Sequence, residues 1–378
     1  MDEFFPSTPQ DDLQKRVELL EEAIQGFSPR NLAGITSSAL RSATRANIYG
    51  DGSDGNVVIS ANTSLTRDMF YNILTINTGV VLNPNGFRIF AKTKVITNGT
   101  GSISVSGGNG ASGTAASLNA HGVAGVVGTR AYTTNGTLPA PPVSGASGNG
   151  ADGSSSGNSG LPGNNGASGS SQNKGLGVAG TGGVGGGSGG GGPNIGPGGD
   201  GGNGGSITGT VFNLPRTPYS AYSLFDWNPA FTIFTGSASP GGSGGGGGGD
   251  SFYPSGGGGG AGGPGGSGGM ICIFSPEIIN NGSIISNGGN GGNGGNGGNA
   301  TGVGNGGGGG GGGGGTGAPG GVIILVYGTY GGSGLLTVNA GTSGAGGVGG
   351  TGITYASGNT GQTPGSALSG TLIQIVVG

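Results

Sequence analysis

Charged side chains are scarce in this chain of 378 residues: 12 basic and 15 acidic, 7% of the total, against about a quarter in ordinary globular domains. The net charge is −3, so there is no basic surplus to neutralise phosphates and a nucleic-acid partner is disfavoured. One cysteine excludes a disulfide framework within a single chain and any thiolate metal cage. One histidine leaves no histidine-centred constellation, and neither an enzyme nor a cofactor is expected. No run of 18 apolar residues occurs, so a transmembrane helix is not expected. Asp2, Glu3, Asp11 and Asp12 precede any apolar run, which does not fit a secretory signal peptide. The expectation is a structural or binding protein made in a cytoplasm, without membrane insertion.

Glycine is what fills the space: 106 residues, about 28% against a usual 7% or so. Glycine supplies almost no apolar area to a core, yet its distribution is ordered. Of the 27 charged residues, 19 lie in positions 1–100, which sets a charged head against a neutral, glycine-dominated body. The expected division is a helix over 1–30, a linker over 31–50, a β-strand head over 51–110 and a glycine-rich body over 111–378.

Thr8 as a cap, Pro9 at the first helical position and Asp11 near the N-terminus predict a helix start. Leu13, Val17, Leu20, Ile24 and Phe27 follow at spacings of four and three, a short heptad seam that Gly26 and Pro29 terminate. Two readings are open. One is an amphipathic helix packed on its own domain; the other is an oligomerisation helix that also anchors the protein. Valine or isoleucine at one seam position with leucine at the other favours two strands in isolated coiled coils, so the seam does not itself call for three.

From Asn47 the pattern becomes short β segments: Val57–Ser60, Tyr71–Asn77, Val80–Leu82, Phe87–Lys94 and Ile103–Ser106. Asp54-Gly55, Asn85-Gly86 and Asn98-Gly99 separate them as turns. A β-sandwich or a β-solenoid fits, and recurrence favours the solenoid. RIFAKTKVITNGTGSISVSGGNG (88–110) and MICIFSPEIINNGSIISNGGNG (270–291) share an apolar strand, an Asn-Gly turn, a second strand and a GGNG exit. VIILVYGTYGGSGLLTVNAGTSGAGG (322–347) is a looser copy, and TLIQIVVG closes the chain. Units of this kind bury each other's apolar faces by stacking. Strands are therefore expected over 270–286, 322–338 and 371–377.

Residues 288–299 read GGN four times, and a three-residue period matches the turn of a polyproline-II-type helix. Such a helix has no internal hydrogen bonds, so its backbone groups need outside partners. Glycine helices can approach closely enough to supply them. A bundle of polyglycine-II helices is expected from tracts at 107–128, 145–209, 241–269, 288–321 and 341–366. Collagen is excluded, since it requires glycine at every third position with enriched proline. Disorder is countered by the triplet register and by strongly apolar strands such as Val322–Tyr327 between the tracts.

The GGNGGNGGNGGN tract, the long glycine runs with aromatic loops between them, and YGDGSDGNVVISANTSLTRDMFYNILTINTGVVLNPNGFRIF (49–90) together resemble the glycine-rich fibre and adhesin proteins of bacteriophage virions. The resemblance covers most of residues 47–378. It implies a virion surface protein, commonly a homotrimer, that carries the host-binding element, with loops joining polyglycine-II helices as the receptor site. A chain with its own short coiled-coil start would root in the virion, against other virion proteins, through its N-terminus. Tail fibre and capsid-surface fibre are both open, and the receptor would be a cell-surface glycan or an outer-membrane protein.

An aromatic insert at 212–234 is the candidate receptor site. Nine of the 22 aromatics, including the single tryptophan, fall between Phe212 and Tyr253. Tyr219, Tyr222, Phe225, Trp227 and Phe231 could stack on sugars, with Asp226, Asn228 and Arg216 bonding hydroxyls. Pro215, Pro218 and Pro229 break the insert into loops. The competing reading is a hydrophobic cluster that caps the bundle or joins subunits. Asp51 and Asp54 have a spacing open to calcium, but five further oxygen ligands would be needed, and a plain turn is favoured. His121 has no acidic neighbour in sequence and reads as an inert loop residue, and Cys272 as a small buried hydrophobe. Two functions of other classes remain beside the adhesin: a self-assembling non-viral surface filament or matrix protein, and an ice-binding protein whose regular polar face orders water.

Overall fold

Residues 48–133, 136–138, 140–153, 200, 242–248, 254–301, 306–353 and 356–377 are described by a computed structural model. The chain divides after Ile48, and Tyr49–Gly378 forms one unit. Among the described residues its regular elements are eleven strands: β1 (Gly55–Ile59), β2 (Thr63–Ser64), β3 (Met69–Ile76), β4 (Val81–Asn83), β5 (Ile89–Thr97), β6 (Ser102–Ser104), β7 (Met270–Asn280), β8 (Ser283–Ile285), β9 (Val322–Gly331), β10 (Leu335–Thr337) and β11 (Thr371–Val376). They form two sheets, ordered β1-β3-β5-β7-β9-β11 and β10-β8-β6-β4-β2. Every ladder is parallel. Successive strands thus alternate between sheets, and each long strand with the short strand after it makes one rung.

Apolar residues at alternate positions explain the pairing. Ile271 and Ile273 of β7 stand beside Ile323 and Leu325 of β9, and all four are fully buried in the core between the sheets. Leu74 and Val95 extend that core into β3 and β5. On the long sheet Phe70, Phe90 and Phe274 stack in sequence, with centroids 4.9 and 4.8 Å apart. Tight turns follow the long strands. Gly99 and Gly332 there adopt φ of +52° and +96°, which a side chain would strain.

The fold class read from the sequence is corrected by this arrangement. No complete helix and no coiled coil occur among the described residues; Leu13, Val17, Leu20, Ile24 and Phe27 lie outside them. A sandwich is excluded, because sandwiches are antiparallel and every ladder here is parallel. Nor is there a β head beside a separate glycine body. β5 pairs with β7, and β6 with β8, so strands before residue 105 and after residue 269 share both sheets. The physical reason is that the apolar rows of β5 continue in β7, however much chain intervenes. Parallel sheets ordinarily reach the next strand through a helix, as in α/β folds. Among the described residues of this chain, glycine tracts and short loops occupy those connections.

Nine tracts can be followed by their hydrogen bonds: g1 (107–116), g2 (122–131), g3 (143–153), g4 (242–248), g5 (254–269), g6 (286–301), g7 (306–321), g8 (339–353) and g9 (356–370). What the bonds show directly is a triplet register. Gly107, Gly110 and Gly113 donate to Asn287, Asn290 and Asn293; Gly289, Gly292 and Gly295 donate to Gly266, Gly263 and Gly260. One set runs parallel and the other antiparallel. Sorting all the bonds this way gives three layers: g1-g6-g8, then g2-g5-g7-g9, then g3-g4, with parallel neighbours inside a layer and antiparallel ones between layers. Tract g5 exchanges backbone hydrogen bonds with six others, g1, g2, g3, g4, g6 and g7. It is buried from Ser255 to Gly269.

The layers continue the sheets without a change of register. Ser102 pairs with Ser283, an offset of 181, and Gly107 would then pair with Gly288. A parallel ladder sends its N–H to the residue before the partner, and Gly107 donates to Asn287. The same test succeeds beside the long sheet, where Met270 pairs with Val322 and Gly268 donates to Pro319. The strands therefore set the alignment of the glycine tracts that run into and out of them.

Candidate functional site: the far end and the asparagine face of the glycine layers

Tract directions place the g1–g2 turn at 117–121, the ends of g3, g4, g6 and g8 at Gly153, Gly248, Thr301 and Ile353, and the starts of g5, g7 and g9 at Pro254, Gly306 and Ala356 at the end of the layers remote from the sheets. In the first turn Asn119 takes the left-handed conformation at φ 58°, which asparagine tolerates better than most residues. The Asn119 N–H donates to Ser255 O at 3.1 Å. This ties the turn to the start of g5, where the Ser255 hydroxyl donates to Gly248 O at 2.6 Å.

His121 and Asp152 meet at this end. The His121 N–H donates to Asp152 Oδ1 at 3.0 Å, and Nδ1 lies 2.6 Å from the same oxygen. The hydrogen bond from His121 holds the Asp152 carboxyl below the usual carboxylate range. The pair joins the g1–g2 turn to the last residues of g3. His121 is therefore not without an acidic neighbour: 31 positions of sequence separate two groups that touch. What brings them together is the lay of g3 against g2, where the Gly150 N–H donates to Gly122 O.

Chain leaves the described residues after Gly153 and rejoins them at Gly242 apart from Asp200. Tyr219, Tyr222, Phe225, Asp226, Trp227 and Phe231 fall in that interval, outside the described residues. So does the remainder of the 212–234 insert. The described tracts on either side of that interval, g3 and g4, lie side by side, with Gly148 donating to Gly242 and Ala151 to Gly245.

A second surface comes from the g1-g6-g8 layer. In g6 each Gly-Gly-Asn triplet turns its two glycines towards neighbours and its asparagine to solvent. Those side chains are held in place. Asn290, Asn293, Asn296 and Asn299 each accept, through Oδ1, the backbone N–H of Thr342, Ala345, Val348 and Thr351 at 2.8 to 2.9 Å. On the other side Asn109 Oδ1 accepts the Asn290 N–H at 2.8 Å. Three parallel tracts thus present small side chains in a two-dimensional array that repeats every three residues along each tract.

No group of three His, Cys, Asp or Glu is placed to hold a metal among the described residues. Asp54, considered for calcium, is instead engaged by Arg67 and by the Phe70 N–H. Cys272 is buried in β7, and burial pushes its thiol up to about 12. No described helix is long and apolar enough to cross a membrane. Comparison with protein-family models, curated proteins and solved structures finds no match for the chain.

Proposed function

We propose that this chain is a structural fibre or adhesin of a bacteriophage virion, a tail fibre or a capsid-surface fibre, that displays loops for attachment to a host. The observation that carries this reading is the layered hydrogen bonding of nine tracts, which brings the g1–g2 turn and the described ends of g3, g4, g6 and g8 to one end of a backbone-bonded body. A scaffold of that kind suits display, because loops positioned by a rigid frame lose little entropy on binding. The aromatic insert at 212–234 is the proposed receptor element, for a cell-surface glycan or an outer-membrane protein. Residues 1–30 are the proposed attachment to other virion proteins. Several copies per virion would raise weak individual contacts to useful avidity.

The test is competition for adsorption. Purified chain added to host cells ahead of the phage is expected to block attachment. Undiminished adsorption at saturating protein would refute the reading.

One specific observation favours a second reading. The asparagine face repeats in two directions, and its carboxamides are oriented by the neighbouring tract, which is the kind of ordered polar array an ice-binding surface requires. Thermal hysteresis in a solution of the purified chain would support that function, and its absence would dispose of it.

A further inference from the structure

We infer that Asn98 is a self-modification site, the asparagine at which this chain converts its own carboxamide to an acid, and that the glycine layers protect the same dipeptide elsewhere. The inference does not depend on the attachment reading. Asparagine is most labile before glycine, because no side chain hinders the amide nitrogen that follows it. That nitrogen attacks the carboxamide carbon, its proton leaves with the side-chain nitrogen as ammonia, and a five-membered imide closes. Water then opens either carbonyl C–N bond of the imide. The product is aspartate or isoaspartate, the latter with its main chain running through the former side chain, and only water is consumed.

Two groups must approach each other for this to happen, the carboxamide and the next N–H. In the g1-g6-g8 layer both are taken. Asn290 Oδ1 accepts the Thr342 N–H while the Gly291 N–H donates to Thr342 O. The same two-bond clamp sets Asn293 and Gly294 on Ala345, Asn296 and Gly297 on Val348, and Asn287 and Gly288 on Asn339. Asn109 and Gly110 clamp Asn290 in turn. At Asn149 the carboxamide accepts the Ala124 N–H, and the Gly150 N–H donates to Gly122 O.

The turns beside the sheets differ. Asn85 ties its carboxamide to Leu65 O, and the Gly282 N–H that follows Asn281 donates to Thr97 Oγ1. Asn98, in the turn between β5 and β6, has neither bond. Among the described residues its carboxamide and the Gly99 N–H are both without a hydrogen-bond partner. Asn98 is half-buried and Gly99 exposed, so water reaches the turn. In g6 the reacting pair must first open two hydrogen bonds that Asn98 and Gly99 never form, which at ordinary net strengths lowers the reactive population about tenfold or more. Isoaspartate at 98 adds a methylene to the main chain directly after Thr97, whose hydroxyl holds the Asn280 carboxamide.

The experiment ages the folded full chain at mildly alkaline pH and follows each asparagine by peptide mass mapping, with isoaspartate scored by enzymatic methylation. Conversion at Asn98 is expected to outrun that at Asn287, Asn290, Asn293 and Asn296 by about tenfold or more. In denaturant the clamps are gone, and the rates at these sites are expected to converge. Equal rates in the folded chain, or a g6 asparagine faster than Asn98, overturn the inference. So does an equally large preference for Asn98 in denaturant, since sequence alone then explains it. The Asn98→Gln chain needs a six-membered ring, which closes far more slowly, and is expected to age without gaining acid in the β5–β6 turn. Undiminished gain there overturns the assignment to Asn98.

Discussion

The Thr97 hydroxyl donates to the Asn280 carboxamide oxygen at 2.6 Å, joining the ends of β5 and β7 across 183 positions of sequence. Both residues are at most 1% exposed. The same carboxamide donates to Tyr330 OH and to Leu335 O, and the Thr97 oxygen accepts the Gly282 N–H. One buried amide therefore fixes two turns and the start of β10. Asn280→Ala leaves several of these groups without partners in the interior, at a cost of about 1–3 kcal/mol per buried orphan. Chemical denaturation should show a loss of that order. Thr97→Val is expected to cost less, because it removes one hydroxyl and keeps the volume. Equal stability of Asn280→Ala and the natural chain would show that the network contributes nothing.

Acid should weaken the first rung through Asp54. Hydrogen bonds from the Arg67 side chain, chiefly, and from the Phe70 N–H at 2.6 Å hold this carboxyl below its ordinary value of 3.8. A depressed carboxylate contributes stability that is present above its unfolded value and is lost as pH falls through its folded value. The melting temperature is therefore expected to drop between about pH 5 and pH 2. Asp54→Asn should be less stable at neutral pH and should lose less on acidification. Parallel acid profiles for the two proteins would assign the transition to other carboxylates, with Asp152 first among them, since His121 lowers it in the same way.

The aromatic insert gives a prediction that separates binding from packing. Trp227→Ala and Tyr222→Ala are expected to abolish host adsorption by the purified chain while leaving its thermal melt and its mass unchanged. A hydrophobic cluster behaves differently, because truncating buried aromatics costs about 3–5 kcal/mol. Loss of assembly or a large fall in melting temperature would place these residues in packing and remove them from the receptor site.

The triplet register of g6 was legible in the sequence because it is local. Three-residue spacing of Asn290, Asn293, Asn296 and Asn299 puts them on one face, and that face is the exposed one. Long apolar runs such as Val322–Tyr327 mark strands, and β9 begins at Val322. The two-residue β2 left no such mark, since Thr63 and Ser64 are polar and exposed. What sequence periodicity does not carry is partner choice. Nothing near Thr97 announces Asn280, because parallel pairing joins segments with an entire excursion between them, and nothing near His121 announces Asp152, which sits 31 positions away on another tract. The expectation of a head apart from a body arose there: the charge boundary is real in the sequence, but both sheets cross it.

Side-chain positions within a triplet should then decide how many neighbours a tract can have. A Cβ built on Gly259 would collide with Gly295 O, and one built on Gly312 with Gly260 O. In both cases the obstacle is backbone, which has no rotamer to escape into. Asn293 occupies the third position of its triplet, where space is open to solvent and the side chain's tie is to the Ala345 N–H. Gly259→Ala is therefore expected to cost at least the roughly 1–3 kcal/mol of an overpacked core, since two layers must separate to admit the methyl. Asn293→Ala should cost only about 0.5–1.5 kcal/mol, the net worth of one hydrogen bond. Denaturant titration of the two variants measures the difference directly. If alanine is tolerated equally at both positions, close backbone approach is not what holds the layers together.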